Sequence, residues 1–238
     1  MRKFLLVAAL FMLARPARAE TVDLWPDTSR AIHDINMRVM RMIKPSIEEY
    51  REQHFSIVHR GLLNMMRNLH EPMTAANSLL ELDFGNTCSS VGRFLINSTI
   101  GLAGLIDVAG EIGLKRDKRD FGMTLGAWYV PELGYLEVPL LGPSTTRDLT
   151  GKIVDATFDP IYLVIGWQIG FATDVMISFL ELYEGYDMMM AFDASSLDSY
   201  GAFKAMYLQN RAKRIEDMKV LFKVGQSPPP PAYDFDME

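Results

Sequence analysis

The 238-residue chain contains one cysteine, Cys88, and only four histidines. A single thiol rules out an intramolecular disulfide. None of His33, His54, His59 and His70 falls in an HExxH or HxxEH pair, so no metal or cofactor is expected. The sequence also lacks a G-x-S-x-G elbow and a phosphate-binding glycine loop, which removes the common serine-hydrolase and nucleotide-binding readings. Basic residues are in the minority, 24 Lys and Arg against 30 Asp and Glu, and this acidic balance argues against a nucleic-acid partner. Long hydrophobic runs are missing as well: the uncharged stretch 160–173 has 14 residues, whereas a spanning helix needs about 20. Strand patterns are scarce and no internal repeat is visible. What remains is a mainly α-helical chain, 49% hydrophobic, with enough apolar residues for a single core.

At the N-terminus, Arg2 and Lys3 precede an 11-residue apolar run and an Ala17-Arg18-Ala19 site, the pattern of a secretory signal peptide over 1–19. One helical domain is expected over 20–223. Residues 224–238, with four consecutive prolines and an acidic end, read as a disordered tail. Residues 27–60 read as helical, with Pro45 a kink or break. On a wheel, Ile32, Ile35, Val39, Met42 and Ile43 fall in one arc, and Arg30, Arg38, Arg41 and Lys44 lie opposite. This basic face is either the solvated side of a core helix or a surface for anionic headgroups.

Two short helices are predicted over 61–80, broken at Glu71-Pro72. A further helix over 86–98 leads into a glycine turn at Gly101 and Gly104 and a short helix from about Leu105. Residues 121–141 read as extended turns. Ser144, Thr145 and Thr146 are candidate caps of another helix, with Asp148 in its first turn. Long helices are predicted over 160–191, where Gly166 and Gly170 form a GxxxG, and over 196–221. Cys88 is expected to be a small core filler.

Three segments carry a resemblance. NSTIGLAGLIDVAG, then FGMTLGAWYV, then VPLLGPSTTRDLTGKIVD are similar, in order and spacing, to motifs of the MlaA (VacJ) family of Gram-negative outer membranes, and NLHEP and LDSY with YLQNR extend the likeness over about 50–211. The resemblance implies a ring-like bundle of helices around an amphipathic channel, seated mainly in the inner leaflet of the outer membrane. It implies removal of mislocalised phospholipid from the outer leaflet, transfer to the soluble carrier MlaC, association with trimeric porins, and no bond made or broken. The chain departs from the family in three places. Relatives carry an acylated cysteine after the signal peptide, whereas no cysteine lies near Ala19, so location in the periplasmic leaflet without a lipid anchor is expected. VPELGY stands where relatives have a glycine-rich segment. Lys204 stands where relatives commonly have arginine.

The residues singled out within the apolar helices are Asn97, Asp107, Arg147, Asp148, Asp155 and Lys204. They are either structural caps and ion pairs or the lining of a polar path for a phosphate headgroup, since buried charge is kept only where it meets a partner, water or a headgroup. Two other readings stay open: a soluble periplasmic lipid-binding protein that has lost its anchor, and a lipid hydrolase, which would need an activated nucleophile that the motifs do not show.

Overall fold

The computed structural model describes residues 21–52 and 56–222. The signal-peptide and tail segments, 1–19 and 224–238, lie outside the described residues. Within them the chain is mainly helical: α1 (Pro26–Glu52), α2 (Ser56–Leu69), α3 (Glu71–Leu80), α4 (Phe84–Thr99), α5 (Val108–Glu111), α6 (Phe121–Ala127), a hairpin β1 (Tyr135–Val138) and β2 (Gly142–Thr145), then α7 (Thr146–Phe158), α8 (Pro160–Ile165), α9 (Trp167–Ser195) and α10 (Ser199–Phe222).

The helices start where local chemistry allows. Asp83, Asp107, Asp120, Thr145 and Asp159 each accept a backbone N–H at the head of the following helix, meeting donors that a helix leaves open. The break predicted at Glu71-Pro72 is present, with Pro72 in the first turn of α3, a position that needs no proline N–H.

Pro45, in contrast, does not end its helix: α1 runs through it. One residue before the Arg41 carbonyl that Pro45 leaves without its N–H, the Tyr186 hydroxyl of α9 donates to the Met40 carbonyl at 3.0 Å and ties this turn to α9. The turn after α4 is tighter than glycine content alone suggests, because Leu102 and Ala103 adopt positive φ along with Gly104, which delays the short helix to Val108. Of residues 121–141, expected as extended turns, 128–134 and 139–141 are turn or irregular, whereas the rest form α6 and then β1, whose Tyr135 pairs with Thr145 of β2, and the segment beside Asp23 adds a short parallel bridge to Tyr135. The helix expected to begin at Ser144 begins at Thr146, because residues 142–145 are drawn into the hairpin. Gly166, with φ of 98°, splits the long helix predicted over 160–191 into α8 and α9, and Gly170 makes room for the Tyr162 ring of α8, so that the two pieces pack closely.

Helices α6 and α7 cross with backbone against backbone. A Cβ on Gly151 would lie 2.2 Å from the Gly122 nitrogen, and one on Gly122 would lie 2.6 Å from an Asp148 carboxylate oxygen. Next to this crossing, Met123 and Ala127 of α6 and Ile215 and Met218 of α10 form a small apolar cluster.

The cluster is small because burial here runs against the usual partition. Glu71, Glu81, Asn77, Arg93, Asn97, Arg119, Glu137 and Asp148 are buried, while Trp25, Met42, Ile57, Phe84, Ile100, Leu102, Ile153, Phe158, Trp167 and Phe171 are exposed. Cys88 belongs to the exposed set rather than the core. Helix α1 shows the inversion within one element. Its buried face is Ser29, His33, Asn36, Met37 and Ile47, whereas Ile35 and Met42 of the arc taken as core-facing stand out in the open. Polar bonding of His33 and Asn36 to the hairpin, described below, has set the rotation of the helix in place of hydropathy.

Candidate functional site: a charged interior

The buried charges fall into four bonded groups, two of which meet at Asp120. In the first, the Arg93 guanidinium of α4 donates to Glu71 of α3 at 2.9 Å and to Asp107 at 3.0 Å, and also to the Leu114 carbonyl. Arg116 adds a second cation to Glu71 at 3.3 Å. Asn97 donates to Asp107 at 2.9 Å and accepts from the Ala109 N–H, so the NST-to-DVAG segment closes on itself. Burial pushes the Asp107 carboxyl up, but Asn97, the Gly110 N–H and Arg93 outweigh it and leave it below its ordinary value.

The second network joins α3, α6 and α7. Asn77 donates to Asp155 at 3.0 Å, and the second Asp155 oxygen accepts the Phe121 N–H at 2.9 Å. Glu81 pairs with Arg119 at 3.2 Å, and Arg119 reaches Asp83 and Asp117 as well. The one proton of the Thr124 hydroxyl is offered three acceptors: Asn77, Glu81 and the Asp120 carbonyl. A protonated Glu81 would donate into this group and resolve the shortage. Burial does push the Glu81 carboxyl up to about 7, against opposing contributions from Thr124 and Arg119, and it pushes Asp155 up to about 6.

These two carboxyls give a pH prediction. Their folded values lie above the ordinary 4.5 and 3.8, so between about pH 4 and 7 the folded protein holds protons that the unfolded chain has released. Stability from this source is full at low pH and is lost as pH rises through 6 to 7. Thermal unfolding followed from pH 5 to 8 is expected to show a falling midpoint, and Glu81→Gln, which keeps the donor at all pH, should flatten most of that slope. An unchanged slope in the variant would place the linkage elsewhere.

In the third network, Arg211 of α10 holds Asp120 of α6 at 2.6 and 2.8 Å and Asp148 of α7 at 2.6 and 3.0 Å, and the Tyr207 hydroxyl donates to Asp148. Burial pushes the Asp120 carboxyl up, and Arg211 brings it below its ordinary value. A fourth group surrounds the hairpin. Lys204 donates to Asp23 at 3.1 Å, and Arg147 pairs with Glu132 at 3.3 Å. Glu137 accepts from the Tyr135 hydroxyl and Asn36 and faces His33 at 3.4 Å.

Of the six residues singled out from the sequence, only Asn97 and Asp107 meet. Asp148, Asp155, Arg147 and Lys204 each take a different partner. Sequence reasoning passed over their partners Arg93, Asn77, Glu132, Asp23 and Arg211, and over Glu71, Glu81 and Asp120 further along the networks. The NLHEP and YLQNR segments held the signal for Glu71 and Arg211, a charge fixed inside a motif. On the basic face, Arg30 pairs with Asp198 at 2.7 Å, Arg41 with Asp193 at 2.7 Å and Lys44 with Glu48 at 3.6 Å; Arg38 is exposed.

A Ser–His–Glu line is also present. The Ser199 hydroxyl lies 2.9 Å from His33 Nε2, whose ring reaches Glu137 on its other side. The serine proton, however, is directed to Asp193 at 2.5 Å, so the hydroxyl serves that carboxylate rather than being activated by the imidazole.

Polar networks within and large apolar side chains without reverse the usual partition of a helical protein, and no helix among the described residues is long and apolar enough to cross a membrane. A family model for MlaA lipoproteins matches residues 21–214, and the chain belongs to that family. Among curated proteins, it is 40% identical over 136 residues to an uncharacterized protein of Rickettsia prowazekii, covering 57% of this chain and 54% of that one. It is 26% identical over 211 residues to the intermembrane phospholipid transport system lipoprotein MlaA of Haemophilus influenzae, covering 85% of this chain and 83% of that one. The chain spans about half the length of the rickettsial relatives it matches. A solved structure described as the structural basis for maintenance of bacterial outer membrane lipid asymmetry superposes with a TM-score of 0.66 at 26% identity, covering 83% of this chain and 98% of that chain.

Proposed function

We propose that this protein is a component of an intermembrane phospholipid transport system, seated in the periplasmic leaflet of the outer membrane, where it withdraws mislocalised phospholipid from the outer leaflet and so maintains lipid asymmetry. The observation that carries this is the inversion of burial: acyl chains can cover the exposed Trp, Phe, Leu and Ile side chains, and a headgroup needs the polar interior that the charged networks supply. The Haemophilus relative's transport role and the superposed structure's link to lipid asymmetry support the same reading.

In this reading Asn97, Asp107, Arg147, Asp148, Asp155 and Lys204 hold the walls of a hydrophilic track, most of them through an ion pair or hydrogen bond to a neighbouring element. The lipid passes to a soluble periplasmic carrier of the MlaC kind, with a trimeric porin as the membrane companion, and no covalent step is needed. A deletion strain tested for phospholipid on the cell surface is expected to show exposed phospholipid, reversed by the wild-type gene. An unchanged surface in the deletion strain would overturn the reading.

A further inference from the structure

Between α1 and the start of α10 lies a cleft of about 220 Å³, room for about seven waters, that none of the networks above fills. Apart from Met37 its lining is polar and of mixed sign: Asp34, Arg38 and Arg41 from α1, Asp193 from α9, and His33 and Ser199 at its floor. The floor is rigid. His33 is fixed by Glu137 and Ser199, and its ring packs against Tyr200 and Phe203 at 5.8 and 5.4 Å. Arg41 spends one nitrogen on Asp193, which also takes the Ser199 hydroxyl. Asp34 and Arg38 differ from the rest. They lie one helical turn apart with opposite charges, yet neither makes a hydrogen bond or ion pair with any described residue, and both are exposed; Asp34 feels Arg30 only through a longer-range attraction, the Arg30 guanidinium being bonded to Asp198. Such a spacing ordinarily closes into an i,i+4 pair, so here both ends stay open to a ligand.

We propose that this cleft holds an ammonium–phosphate zwitterion of the ethanolamine type, free or as the headgroup of a phospholipid, with the phosphate on Arg38 and the free nitrogens of Arg41 and the ammonium on Asp34. The lining balances two cations against two carboxylates, so a simple anion gains from one pair only to be repelled by the other, whereas a zwitterion matches both. Phosphate and ammonium in ethanolamine phosphate are separated by two methylene carbons, a span comparable to one helical turn. Arg38 offers the planar fork that suits phosphate. Asp34 rewards an ammonium that keeps its N–H donors, and no aromatic cage lines the cleft to hold a trimethylammonium in its place. The lipid source of the ligand rests on the transport reading above.

The test is calorimetric titration of the full chain in detergent with short-chain phosphatidylethanolamine, phosphatidylcholine and phosphatidylglycerol, and separately with soluble phosphoethanolamine. The ethanolamine lipid is expected to bind about tenfold tighter than the other two, the equivalent of one charge-assisted hydrogen bond. Arg38→Gln should lower its affinity by about tenfold, and Asp34→Asn should erase the preference over choline while leaving the circular dichroism unchanged. Competition by soluble phosphoethanolamine at equal affinity supports a site for the free zwitterion, and weaker competition supports a site for the lipid headgroup. Equal binding of all three headgroups, or an unaltered preference in both variants, overturns the assignment and leaves the transport reading standing. No binding of any lipid overturns both.

Discussion

Arg211→Met is expected to lower the stability of the folded protein by about 3 to 5 kcal/mol, the cost of leaving a buried charge without its partner. The wild-type guanidinium bonds Asp120 and Asp148 together, and Asp148 is buried on the wall of the α6–α7 crossing, where water cannot replace the lost cation. Methionine fills similar volume, so packing loss is a minor part of the change. Arg211→Lys should recover part of the stability, because one ammonium cannot reach both carboxylates as a planar fork does. Adding Asp148→Asn to Arg211→Met removes one stranded charge and is expected to recover stability as well, which separates a charge penalty from a packing defect. Chemical denaturation in detergent, followed by far-ultraviolet circular dichroism, reads all three variants. A midpoint within experimental error of the parent for Arg211→Met would show that the network is dispensable.

The second large effect is on membrane retention. Trp167, Phe171 and Val175 stand at i, i+4 and i+8 along α9 and are 67%, 59% and 48% exposed, a stripe that would face a core in a water-soluble protein. Each such side chain gains about 1.5 to 3 kcal/mol on burial, so together they provide about 5 kcal/mol of membrane affinity, a factor of a few thousand in partition. Replacing all three with glutamate is expected to move the protein from floated vesicles to the soluble fraction with its helical content intact, because none of the three is buried against the protein. Changing Arg30, Arg38, Arg41 and Lys44 to glutamate should do far less, at most a shift that is largest at low salt and shrinks as ionic strength rises, since Arg30, Arg41 and Lys44 are already paired with Asp198, Asp193 and Glu48. If the α9 variant floats like the parent, this stripe faces something other than lipid.

The contrast between the two predictions indicates how much of the molecule was legible in its sequence. The helical class, the break at Glu71-Pro72 and the capping of α7 by Thr145 follow from local rules, because propensity, proline geometry and capping act over a few residues. The rotation of α1 did not follow. A hydropathy wheel assumes that apolar side chains point inward, and that assumption fails when the outside is also apolar and His33 and Asn36 bond to a hairpin about a hundred residues away. The same failure explains the site. Asp148 and Asp155 stood out as charges in apolar helices, but their partners Arg211 and Asn77 are distant in sequence, and a pairing at that range leaves no periodic trace.

The glycine crossing of α6 and α7 also determines how the molecule can move. Where helices meet through side chains, a change of rotamer provides slack and one element can slide past the other. At Gly122 and Gly151 there is no side chain between the two backbones, so the pair moves as one rigid strut that carries Asp120 and Asp148 at a fixed spacing. Arg211 therefore grips the strut and not either acid alone, and any displacement of α10 has to shift both helices together or release both carboxylates at once.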